Sequence, residues 1–87
     1  MKYVYTVCEV NKVTGEIFRV RETFSDVTRA VNRAIVLIQD NGCHPDRYNE
    51  AYVELLREMI TSYIKKNGQF CDRAFEAAVF KRQLDSM

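Results

Sequence analysis

Proline, glycine and tryptophan are scarce in this 87-residue chain: Pro45 is the only proline, there are three glycines, and there is no tryptophan. So few turn-forming residues predict short connections and few loops. An excess of charge of either sign is also missing, since 13 Lys and Arg face 12 Asp and Glu for a net charge of +1. That balance excludes a strongly acidic DNA mimic and a strongly basic DNA-coating protein, although a local patch stays open. Paired cysteines are missing too. Cys8, Cys43 and Cys71 are odd in number and share no short spacing. Small secreted domains use an even disulfide framework, so reduced thiols and a cytoplasmic location are expected. Long apolar runs do not occur. The opening from Met1 to Glu9 is short, alternating and closed by a charge, which predicts neither a signal peptide nor a membrane span. A Gly-rich phosphate loop and a Gly-x-Ser-x-Gly elbow are both lacking, so those enzyme classes lose their usual signature.

What is present suits one small globular domain over residues 1–87. Hydrophobic residues make up 47% of the chain, too many for disorder. A chain of this length buries only about 60–65% of its unfolded surface. It can fold alone with a narrow margin.

Tyr, Val and Thr dominate from Lys2 to Val10, as a pleated surface prefers. The stretch from Asn11 to Gly15 supplies turn residues, and Glu16 to Arg21 alternates again. The spacing predicts a β-hairpin over residues 2–21. Both sides of its first strand are apolar, so one side is expected to meet helices and the other a partner. Ser25 and Asp26 open a first helix over about residues 26–41, stopped by Asn41-Gly42. A second helix over about 46–66 starts near Pro45 and carries a regular apolar stripe from Tyr48 to Ile64. A third helix is expected over about 70–84, with Phe70, Ala74, Phe75, Ala78 and Val79 on one stripe and Ala77 and Phe80 beyond it. The fold expected is α+β in the order ββααα. The expected core is Val4, Phe18, Val20, Val31, Leu37, Leu55, Leu56, Ile60, Phe75 and Val79. Edge pairing through the first strand would join two copies as a homodimer.

Five groups of residues bear on chemistry. Cys8, Cys43, His44 and Cys71 lack the paired short spacing of a zinc site. Cys43 and His44 are sequence neighbours and do not make a natural catalytic dyad. Glu50, Glu54 and Glu58 fall four apart along one helix face, the pattern of a solvated face more often than of a cation site. No catalytic residue, metal ligand or cofactor is therefore expected, and the chain reads as no enzyme. Arg19 and Arg21 on the second strand, with Arg29 and Arg33 one turn apart on the first helix, would grip phosphates of a nucleic acid or nucleotide if they converged. Tyr3, Tyr5, Tyr48 and Tyr52, with Phe80 on the last element, are the candidates for a protein-docking surface, because aromatics are enriched at interfaces.

The opening, from Tyr3-Val4-Tyr5-Thr6-Val7 through Thr14-Gly15-Glu16 to Phe24-Ser25, resembles that of many small bacteriophage and mobile-element accessory proteins. The resemblance covers the N-terminal third and brings no catalytic residues with it. It implies an accessory or host-interaction role, in which a small protein occludes or sequesters a bacterial target. The reading is thus a non-catalytic, cytoplasmic protein-binding module of the phage inhibitor or adaptor kind. The alternative is binding of a nucleic acid or phosphorylated ligand through the arginines.

Overall fold

The structure, a computed structural model, describes residues 2–41 and 49–84. Six elements follow one another: β1 (Lys2–Val10), β2 (Ile17–Phe24), α1 (Val27–Asn41), α2 (Glu50–Asn67), β3 (Gln69–Asp72) and β4 (Ala77–Leu84). The strands form one antiparallel sheet in the order β2-β1-β4-β3.

The expected ββααα order is corrected to ββααββ. Residues 70–84 form the β3–β4 hairpin and no third helix. The run Ala77-Ala78-Val79-Phe80 is apolar at every position, and four such residues do not distinguish a 3.6-residue period from a two-residue one. In the sheet they separate by alternation. Ala77 and Val79 enter the main core with Phe70, while Ala78 joins a second cluster with Phe80 beside it. The apolar spread beyond one helical stripe was therefore strand alternation. The turn is built locally: Ala74 N–H donates to the Asp72 carboxylate (2.8 Å) and Glu76 takes a left-handed φ of 57°.

A two-stranded ribbon is marginal alone. Here β4 docks along β1 over its own full length, from Lys2 opposite Leu84 to Glu9 opposite Ala77. Strand β1 is thereby interior, with a neighbour on each side, and has no free edge through which to pair with a second copy.

Asp26 caps α1, accepting from Thr28 N–H (3.1 Å). The helix buries Ala30, Val31, Ala34, Ile35, Leu37 and Ile38. Asn49 caps α2 by accepting from Tyr52 N–H (3.1 Å), and Leu56, Ile60 and Ile64 are its buried stripe. These residues close over Val7, Phe70, Ala77 and Val79 of the sheet as one core. Each fully buried Leu or Ile there stabilises the fold by about 1.5–3 kcal/mol. Of the expected core, Val31, Leu37, Leu56, Ile60 and Val79 are buried. Phe18, Val20 and Leu55 are not, being 56%, 62% and 66% exposed.

Gly68 ends α2 in the left-handed region (φ 80°), its N–H donating to Ile64 O at 2.7 Å. A Cβ placed there would meet nothing within 4 Å, so a side chain costs only backbone strain. Gly68→Ala is expected to lower stability by about 1 kcal/mol, and Gly68→Asn by less, since asparagine tolerates this region. Urea denaturation of the two variants measures the difference.

Candidate protein-docking face

The two faces of the sheet differ in what covers them. Residues alternate between faces along a strand, and cross-strand partners share one. Val7, Val79 and Phe70 are register partners and lie in the core beneath the helices. The adjacent rows, Cys8–Ala78–Cys71 and Thr6–Phe80–Gln69, therefore belong to the opposite face. On that face Cys8, Val10 and Ala78 form a small buried cluster, with Phe80 half-buried against it.

Beside this cluster runs a groove of about 380 Å³, lined by Thr6, Cys8, Ile17, Val20, Phe80, Lys81 and Arg82. Ile17 and Val20 are exposed beside Phe80, and the hydroxyls of Thr6 and Thr23 meet at 3.4 Å. Burial pushes the Cys8 thiol above its ordinary range; nearby Cys71 pushes the same way and Arg82 opposes both. The thiolate, the reactive form, is thereby disfavoured at neutral pH. Alternation along β4 puts Arg82 on the same face as Ala78 and Phe80, where it lines the groove, and no ion pair joins Arg82 to another residue among those described.

The aromatic residues proposed for docking do not form one surface. Phe80 lines the groove. Tyr3 and Tyr5 alternate to the helix-covered side of β1, where Tyr5 packs half-buried against the core and Tyr3 lies under the Lys81 ammonium (4.1 Å from Nζ to the ring centre). Tyr52 packs half-buried on α2. Tyr48 lies outside the described residues, as do Cys43 and His44.

The four arginines of the phosphate reading are separated by their partners. Arg21 pairs with buried Glu9, and Arg33 Nε donates to Glu22 (2.7 Å). Arg29 sits 6.0 Å from the ring centre of Phe24. Arg19 has no ion pair among the described residues. Arg29 and Arg33 do share a shallow groove with Glu22 and Phe24 between β2 and α1, but a carboxylate already occupies it. On α2, Glu54 pairs with Arg57, and Glu50, Glu54 and Glu58 are all exposed. No group of three His, Cys, Asp or Glu among the described residues is arranged to hold a metal ion.

The groove residues Thr6, Cys8, Ile17, Val20 and Arg82 were missed by sequence reasoning. For Thr6 and Cys8 the signal was the even-numbered alternation of β1, readable only once β4 is known to lie beside it. Among the described residues no helix is long and apolar enough to cross a membrane. Comparison with known proteins adds no relative: no family model, no curated protein and no solved structure matches the chain.

Proposed function

We propose that this chain is a non-catalytic protein-binding module whose docking surface is the sheet face turned away from the helices. The observation that carries this is the groove itself. Ile17, Val20 and Phe80 leave apolar surface beside the Arg82 side chain, on the side of the sheet that no helix covers among the described residues. An apolar centre with a polar rim is the ordinary anatomy of a protein interface. The sheet edges are poorer candidates. Strand β2 carries Arg19, Arg21 and Glu22 and two register irregularities against β1, and β3 is only four residues long. Charges, bulges and short strands are the devices that keep edges from pairing. A buried Cys8 with a raised pKa suits a wall of the site better than a nucleophile.

The resemblance of the opening to bacteriophage accessory proteins makes a bacterial host protein the partner to test first, in a cytosol where Cys8, Cys43 and Cys71 would stay reduced. Phosphate binding through the arginines is the weaker reading, because a phosphate would have to displace Glu9 or Glu22 from Arg21 or Arg33.

The test is affinity capture from the native extract with the wild-type chain and with Val20→Glu. Val20 is exposed, so its replacement changes the surface and leaves the core alone. A retained protein is expected to be lost with Val20→Glu, kept after nuclease treatment and kept with Arg19→Glu. Retention that survives Val20→Glu, or that vanishes with nuclease, would overturn the proposal.

A further inference from the structure

Resting on that reading, we infer that the segment docking in the groove is anionic: it seats an apolar side chain against Val20 and Phe80 and brings a carboxylate to Arg82.

Glu9 and Glu22 pair across the sheet with Arg19 and Val7, and Asp72 with Ala77. Val7 and Ala77 belong to the helix-covered core, and Glu9 follows Cys8 in the alternation. All three strand carboxylates thus lie on the helix side. Of the two charged residues at the groove, Lys81 alternates to the helix side of β4, and Arg82 alone shares the face of Ala78 and Phe80. Lys81 already sits over the Tyr3 ring, whereas Arg82 is exposed and without an ion pair among the described residues. Arg21, Arg33 and Arg57, by contrast, each have a carboxylate of their own.

A guanidinium left open at the end of an apolar trough recognises a carboxylate beside an apolar group, because its planar fork matches that anion and the apolar walls lower the competition from water. A second copy of this chain fits less well. Packing face to face would bring the Arg82 guanidinium of each copy into one interface with no strand acid between them, and like charges across an interface suppress a partner.

Two defined probes test this: acetylated, amidated pentapeptides with a leucine flanked by two glutamates in one and by two lysines in the other. Each is titrated into the isotope-labelled full chain while backbone amide resonances are followed. The glutamate peptide is expected to shift Thr6, Val20 and Phe80 saturably, with affinity in roughly the millimolar range for so small a ligand, and about tenfold more tightly than the lysine peptide. Arg82→Glu is expected to reverse the order, and Arg82→Gln to bring the two peptides together. Arg82 is exposed, and the unchanged resonances of core residues such as Ile60 report that each variant is folded. Equal binding of both peptides at the groove would overturn the anionic inference and leave the docking face standing. So would a preference that Arg82→Glu does not move. Shifts that arise on raising protein concentration alone would assign the groove to a second copy and overturn it as well. Absence of shifts for either peptide would overturn it too, and the Val20→Glu capture then decides separately whether the face docks a protein at all.

Discussion

Arg21→Ala is expected to destabilise the chain by about 2–3 kcal/mol, a large effect for a surface-strand arginine. Glu9 is buried on β1, and Arg21 is the cation paired with it. Removing that partner strands a carboxylate in a low-dielectric site, which costs about 3–5 kcal/mol when both groups are fully buried. About a third of the Arg21 side chain is exposed, which admits water and sets the lower figure. For a domain of this size, a loss of that order lowers the melting temperature by roughly 10–20 °C. The diagnostic is the double variant. Glu9→Gln in the Arg21→Ala background replaces a stranded charge with a neutral amide that is cheaper to bury. It is expected to recover about 1–2 kcal/mol, so that the second substitution stabilises. A patch of arginines gathered for phosphate predicts the opposite pattern: Arg21→Ala would leave stability unchanged and weaken a phosphorylated ligand. Thermal unfolding of the three variants separates the two roles.

Ile60→Ala and Leu55→Ala should differ by several kcal/mol although both remove an apolar side chain from α2. Ile60 is fully buried in the main core, and its truncation leaves a cavity worth about 3–4 kcal/mol. Leu55 is 66% exposed, and its truncation should cost less than about 0.5 kcal/mol. A domain of this size has about 5–10 kcal/mol in total, so the first variant loses a large fraction of its stability and the second almost none. Urea denaturation with an unchanged slope gives the comparison. Comparable losses at the two positions would mean that the helix presents a different face to the sheet.

That contrast shows how far periodicity carries. The stripe from Tyr48 to Ile64 was enough to predict a helix and the burial of Leu56 and Ile60. It was too broad to tell the core face from its neighbour, where Leu55, Met59 and Tyr63 stand exposed at intervals of four. The hairpin of β1 and β2 was legible for a similar reason: β-branched and aromatic residues alternate around a turn closed by Asn11, whose side chain accepts from Val13 and Thr14 N–H. Residues 70–84 read as a helix in sequence and are strands β3 and β4 in the fold. Ala77 and Ala78 suit a helix at least as well as a strand, and what makes them strand is a partner about 70 residues away along the chain.

Local chemistry in the sequence determined the two helices, the first hairpin, the helix stops and the even balance of charge, because caps, turns and periodic burial act over a few residues. Only the tertiary structure decided that Ala77–Leu84 lies along Lys2–Val10. The same pairing turned Val20 and Phe80 toward one uncovered face and left Arg82 beside them without an acid among the described residues. A strand has no hydrogen bonds of its own to close, so its existence and the face each side chain takes depend on whichever distant segment supplies the ladder.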